Sequence, residues 1–216
     1  MSSLREIKLL QKAKSKAQAS KNLKEEANIC NQLGELLSRN GDYEAAIREH
    51  QQELVLSESL EDVIGRAVAN RKIGECFAEM GNIKAALKHQ QCHLDLARSV
   101  GDHAEEQRAL ATIGRTYLFR YESDQSKSSL RKAEDAFRKS LAIVDERLGG
   151  TVPEREIAEM KARLFLNLGI VCDHLGESKR CSEFIRLSVF IAEKSQLLED
   201  LYRANFNLGN IFFRNG

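Results

Sequence analysis

The sequence predicts an all-α protein, a stack of helix pairs with one pair about every 40 residues. Three observations predict it. An aliphatic–glycine pair recurs at Leu33-Gly34, Ile73-Gly74, Ile113-Gly114, Leu168-Gly169 and Leu208-Gly209, with glycine spacings of 40, 40, 55 and 40. A second glycine follows seven residues later at Gly41, Gly81, Gly176 and Gly216, while Tyr121 takes that place after Gly114. Small residues recur where a second helix must cross the first, at Ala46, Ala86, Ala136 and Cys181. Self-similarity at a period of this size marks a stacked repeat, whose core runs on from unit to unit.

The elements follow in order. Residues 1–22 read as a capping helix, with Leu4, Ile7, Leu10, Ala13 and Ala17 at helical spacing and lysines on the other face. Ser20-Lys21-Asn22 breaks it. Repeat one spans about 25–62: a helix from Glu25 to Arg39, the turn Asn40-Gly41-Asp42, and a helix from Tyr43 to about Ser59. Glycine in that turn suits the left-handed residue that ends many helices. Repeat two spans about 65–102, turning at Met80-Gly81-Asn82 and closing at Gly101-Asp102.

Repeat three spans about 104–148, and here the period fails. Its first helix is expected to end near Tyr121. Matching Ala136 to Ala46 and Ala86 implies ten extra residues before the second helix. The polar, serine-rich stretch 122–130 is therefore expected to be a loop, the least ordered internal segment. A second interruption, Gly149-Gly150-Thr151-Val152-Pro153, supplies the rest of the long spacing. Repeat four spans about 154–199. Repeat five begins at 199 and stops at its turn position, Gly216, without a second helix. Phe206, Leu208, Ile211 and Phe212 are then expected to be partly uncovered, and the chain to be an N-terminal piece of a longer protein.

Composition narrows the function. Lysine plus arginine (33) nearly balances aspartate plus glutamate (32), leaving a net charge of +1. A general nucleic-acid or membrane-surface protein would be lopsided. No apolar run is long enough to span a bilayer, and the charged start is no secretory signal. The five cysteines are odd in number and never spaced as CxxC, which fits a reducing compartment, cytosol or nucleus. No glycine-rich phosphate loop, paired-carboxylate motif or strand suggests an enzyme or a cofactor. His89, Cys92 and His93 could share a helix face, but a closed zinc site wants four ligands. Cys30, Cys76 and Cys172 fall on apolar positions, where cysteine acts as a small hydrophobe.

An aliphatic–glycine pair, a turn glycine and then small residues is similar to the tetratricopeptide repeat. That resemblance implies a right-handed tetratricopeptide-repeat superhelix, truncated within repeat five. The 40-residue period, Gly41-Asp42-Tyr43-Glu44-Ala45-Ala46-Ile47 and Asn205-Phe206-Asn207-Leu208-Gly209-Asn210 resemble the long-repeat branch found in spindle-binding polarity adaptors. Four stretches together resemble the Tonsoku-like family: Gln32-Leu33-Gly34-Glu35-Leu36-Leu37, Arg71-Lys72-Ile73-Gly74-Glu75, Ala111-Thr112-Ile113-Gly114-Arg115-Thr116 and Lys139-Ser140-Leu141-Ala142-Ile143-Val144-Asp145-Glu146. The last two are not demanded by the repeat and are the specific part.

The resemblance implies a nuclear scaffold for replication-fork repair and homologous recombination. Its tetratricopeptide part would read the N-terminal tail of replication-coupled histone H3. Other repair-complex proteins would bind the rest of the full-length chain, with no direct nucleic-acid or membrane partner. A generic adaptor for a cytoplasmic or cell-polarity peptide is the alternative.

In tetratricopeptide stacks the first helices line the concave face. Counting from each glycine picks out Asn31, Glu35, Arg71, Glu75, Glu79, Arg108, Arg115, Arg163, Asp173, Arg203 and Asn210 as candidate peptide contacts. Asn167 and Asn207, two before their glycines, resemble the asparagines that clamp peptide backbone in the long-repeat branch. A side-chain amide both donates and accepts, so it can pair with an extended chain of any sequence. Glu35, Glu75 and Glu79 form an acidic cluster. The arginines six before the glycine in the last three repeats suit a basic tail poorly, unless they pair with Asp173 or with peptide carbonyls.

Overall fold

A computed structural model describes residues 3–214. Ten α-helices and no strand are found among the described residues. They are α1 (Ser3–Ala19), α2 (Leu23–Arg39), α3 (Tyr43–Ser59), α4 (Val63–Glu79), α5 (Ile83–Ser99), α6 (His103–Asp124), α7 (Lys127–Arg147), α8 (Glu154–His174), α9 (Ser178–Lys194) and α10 (Leu198–Arg214). The chain forms two compact units, one up to Asp102 and one from His103. Gly216 and the side chain of Phe212, both invoked above, lie outside the described residues.

In the first unit the working period is 20 residues. Each helix has 17 residues and each break has three. The last residue of each of the first four breaks caps the next helix. The side chains of Asn22, Asp42, Asp62 and Asn82 accept from the backbone N–H three residues on, at 3.2, 3.1, 2.9 and 3.2 Å. Each such cap contributes about 1 kcal/mol by occupying a donor the helix leaves open. The middle residue of each break is left-handed: Lys21, Gly41, Glu61, Gly81 and Gly101 all have φ between 54° and 81°. Glycine adopts that conformation without strain, whereas Lys21 and Glu61 are held there at a cost of roughly 1 kcal/mol. Because two of the five breaks lack glycine, the sequence displays only the 40-residue period.

The recurring glycine lets two helices touch. A Cβ on Gly34 would lie 2.5 Å from the His50 ring, one on Gly114 2.5 Å from the Phe137 ring, and one on Gly169 2.5 Å from Ile185 Cγ1. At Gly74 the nearest atom would be Gln90 Cγ, at 3.1 Å. His50, Gln90 and Ile185 each follow their glycine by sixteen residues, but Phe137 follows Gly114 by twenty-three. The insertion is therefore seven residues, not ten. The equivalent of Ala46, Ala86 and Cys181 is Ala133, fully buried four residues before Phe137, rather than Ala136. Ala136 is also buried, so burial at a single alanine does not separate the two registers.

The insertion is not a loop. α6 continues to Asp124 and α7 starts at Lys127, so only Gln125 and Ser126 of 122–130 leave the helices. Seven residues are two helical turns, so both helices lengthen while their facing sides stay in phase. The new end is pinned. Asp124 accepts from the Ser126 N–H at 2.8 Å and from the Ser129 hydroxyl at 2.8 Å, and Leu130 is fully buried. Leu130 and Phe137 share a core with Val144, Leu148, Leu164, Leu168 and Val171. The second interruption is a loop, with Gly150 at φ 77° before α8. In α10, Phe206 is exposed as expected, but Ile211 is buried against Cys172, Cys181 and Ile185.

Two tests follow from this packing. Gly114→Ala is expected to lower stability by about 1–3 kcal/mol in chemical denaturation, because its methyl must displace a buried ring. Gly209→Ala, with nothing within 4 Å, is expected to be neutral or to gain up to about 1 kcal/mol of helix propensity. Equal effects at these two aliphatic–glycine motifs would refute the close-approach explanation. Leu130→Ala is expected to cost about 2–5 kcal/mol as a core truncation, and an unchanged denaturation midpoint would restore the loop reading of 122–130.

Candidate functional site

Glu35 and Glu75 each follow their repeat's glycine, so equivalent turns of α2 and α4 carry them. The structure brings both to Lys72. Its ammonium lies 2.8 Å from Glu35 Oε1 and 3.9 Å from Glu75 Oε2. Arg71 holds Glu75 at 3.0 Å and Arg39 approaches Glu35 at 3.6 Å. Glu35, Arg39, Lys72 and Glu75 line, with Ser38, His50 and Cys76, a pocket of about 100 Å³. The hydrogen bond from Lys72 lowers the Glu35 pKa, against the opposing effect of partial burial. Glu35 is thus held ionised.

Behind the pocket stands a buried polar pair. His50, seated against Gly34, has Nδ1 2.8 Å from Glu53 Oε2, and Glu53 is itself buried. Asn31 donates to the other carboxylate oxygen of Glu53 at 2.9 Å. This candidate contact therefore ties α2 to α3, with its amide N–H turned inward. Glu79 is exposed one turn beyond Glu75 and forms no ion pair among the described residues. The acidic cluster expected from Glu35, Glu75 and Glu79 is therefore offset by Lys72, Arg71 and Arg39.

In the second unit the candidate arginines already have partners. Arg108 is paired with Glu105 and Arg203 with Glu199, each on its own helix. Arg163 meets Glu159 on α8 and reaches Asp200 of α10 with Nε at 2.9 Å. Arg115 donates to the Thr112 hydroxyl at 3.0 Å. Asn207 donates to the Arg203 carbonyl of its own helix at 2.8 Å, whereas the half-buried Asn167 makes no side-chain hydrogen bond among the described residues. Asp173 is half-buried and Asn210 exposed. Lys72 and His50 were missed as site residues. A signal for Lys72 existed, since it stands two before Gly74, the position that Asn167 and Asn207 occupy in later repeats.

The other cysteine and histidine candidates fall into structural roles. Cys30 is fully buried, and burial pushes its thiol up to about 12. His89 lies 2.9 Å from Asn70 Oδ1 and stacks on Phe77, His93 is buried, and Cys92 is exposed.

A charge network joins α7 to α9. Glu134 of α7 receives hydrogen bonds from Arg131 at 2.8 Å, Arg138 at 3.1 Å and Arg180 at 2.5 Å. Glu177 pairs with Arg131 and Arg180, and both Arg138 and Arg180 lie over the Phe184 ring. Burial alone would raise Glu134. The hydrogen bonds from Arg180, Arg131 and Arg138 outweigh it and bring the group from an ordinary 4.5 down to about 2.

These elements define a class. A model described as tetratricopeptide repeat matches residues 65–146 and another matches 27–49. BtubC (BKLC) from P. vanneervenii superposes with a TM-score of 0.67 at 16% identity, over 81% of this chain and 66% of that one. A Podosopora anserina kinesin light chain with nearly identical TPR-like repeats gives 0.61 at 11% identity, over 88% of this chain and 94% of that one. Likeness at such low identity speaks to fold alone, and the fold is an all-helical tetratricopeptide-repeat array.

The sequence relatives are more specific. A Tonsoku-like protein of Danio rerio is 73% identical over the whole chain, and one of Bos taurus is 53% identical over the same 216 residues. The chain belongs to the Tonsoku-like family and corresponds to a tetratricopeptide-repeat region of it. It spans about 15% of the Danio rerio relative and 16% of the Bos taurus one.

The Glu134 network carries a pH test. A carboxylate whose pKa falls on folding contributes stability above its unfolded value and loses it as pH falls through the folded value. The contribution is whole above pH 4.5 and lost toward about pH 2, amounting to at most about 3 kcal/mol. Glu134→Gln is expected to remove this acid dependence in denaturation measured across that range, and an unaltered pH profile would show that the arginines do not act through Glu134.

Proposed function

We propose that this chain is the histone-reading segment of a nuclear replication-fork repair and homologous-recombination scaffold, and that its pocket takes a basic side chain of the histone H3 tail. One observation carries the reading. Glu35 and Glu75 already hold an ammonium group between equivalent turns of successive repeats, that of Lys72. A pocket shaped to hold a lysine of its own chain can hold one from a peptide, with Lys72 swinging out toward solvent. Membership of the Tonsoku-like family, with its repair role, supports the nuclear setting. In the second unit the unengaged amide of Asn167 is the candidate for holding extended peptide backbone. Glu79, Asp173 and Asn210 are the remaining contacts proposed on exposed or half-buried positions.

The exchange sets the expected energetics. A tail is disordered when free, so its ordering is charged against binding and affinity is moderate. The Glu75 side chain is 42% exposed, so its attraction is only partly desolvated. Glu75→Lys is expected to weaken an H3-tail peptide by roughly 1–2 kcal/mol in calorimetric titration, adding repulsion to lost attraction. Lys72→Met is expected to tighten the same peptide by removing the internal competitor, and an H4-tail peptide serves as control. Equal binding by all three proteins would remove this pocket from the reading. Absence of H3 binding by the unaltered chain would favour a generic adaptor for another peptide.

A further inference from the structure

The second unit carries a different groove, built from residues outside the repeat period. α8 starts early: fifteen residues separate Glu154 from Gly169, where eleven separate Val63 from Gly74. The extra turn, with the last turn of α9, frames an open groove of about 570 Å³. Its apolar lining is Ile157, Ala158 and Ile191, all half-buried, together with the ring of Phe190, which is 60% exposed. Ala158 and Ile191 pack on the buried Ala162, Ala192 and Leu197, so this lining is continuous with the core and rigid.

The charges around it are uneven. Arg155, Lys161 and Lys194 face one carboxylate, Glu154. Lys161 is held by Asp145 of α7 at 2.5 Å. Arg155 and Lys194 form no ion pair among the described residues, whereas Arg108, Arg163 and Arg203 of the same unit are matched by acids. An uncovered phenyl ring beside two unmatched cations is what an interface needs when the partner brings one apolar anchor and flanking negative charge.

We infer that this groove docks an acidic segment of a partner protein. Its apolar anchor lies on Phe190, Ile191 and Ala158, and its carboxylates pair with Arg155 and Lys194. A nucleic acid fits less well. Phosphate binding draws on many cations, and here two are unmatched and a glutamate stands at the rim. The inference does not depend on the histone reading, because a basic tail and an acidic segment call for opposite surfaces.

The probe is a short fluorescein-labelled peptide of aspartate and glutamate with one central phenylalanine, titrated by anisotropy into the full 216-residue chain. Saturable binding is expected, weakening as salt rises. The double variant Arg155→Glu/Lys194→Glu is expected to bind about tenfold or more weakly, since reversal replaces attraction by repulsion. Arg155→Gln/Lys194→Gln is expected to fall between it and the unaltered chain. Phe190→Ser is expected to weaken binding about fivefold with an unchanged circular dichroism spectrum, as an exposed ring contributes to docking and not to the core. The proposal is overturned by any of four results: no saturable binding, equal affinity for a peptide lacking the phenylalanine, binding indifferent to the double reversal, or a short DNA duplex that binds more tightly and displaces the peptide.

Discussion

The structure depends on helices approaching closer than a methyl group allows. At Gly34, Gly114 and Gly169 the missing Cβ is replaced by a ring or branched side chain of the partner helix, 2.5 Å from where the Cβ would stand. Glycine in mid-helix is unfavourable by roughly 0.5–1 kcal/mol relative to alanine. That cost is offset because interiors pack like crystals, and an interlock of this kind aligns two helices along their whole length. Much else follows from the same contact. It seats His50, which carries Glu53, which holds Asn31. It also sets which turns of α2 and α4 are equivalent, and so brings Glu35 and Glu75 to one lysine.

The interlock explains how the repeat tolerates insertion. Extra residues must leave the facing sides of the hairpin in phase. Seven residues, shared between α6 and α7, do so, and the longer hairpin adds Leu130 to the core. The later interruption between α7 and α8 is absorbed differently, by a loop and one more turn on α8. That turn contributes nothing to the glycine contact. It is free to form a surface, and the groove beside Phe190 lies there.

Electrostatics here is mostly local pairing. Arg108, Arg163 and Arg203 each meet an acid three or four residues earlier on the same helix, pairs worth a few tenths of a kcal/mol each. Their main effect is to cancel charge, so these arginines leave little net positive surface to repel a basic peptide. Other pairs cross between helices: Lys72 reaches Glu35, Lys161 reaches Asp145, Arg163 reaches Asp200 and Arg180 reaches Glu134. Arg155 and Lys194 form no ion pair among the described residues. The Lys72 pocket and the rim formed by Arg155 and Lys194 are the two places proposed to exchange charge with a partner.

The sequence by itself determined the class of fold, the helix pairs and the glycine positions, because those depend on short-range rules of period, turn and side-chain size. It also placed Glu35 and Glu75 at equivalent positions, since they neighbour the glycines. It misjudged 122–130 because polarity looks alike in a loop and on the exposed face of a helix, and only the buried Leu130 distinguishes them. It matched Ala136 because two small residues three apart lie on one helix face, and only contact with Phe137 separates them. The turns at Lys21 and Glu61 were invisible as left-handed positions, for packing imposes a conformation those side chains do not favour. Only the tertiary structure decided that Asn31 is spent on Glu53 and that Lys72 fills the acidic pocket. The reason is physical: a charge's partner is chosen by distances across helices, and sequence spacing reports those only within one helix.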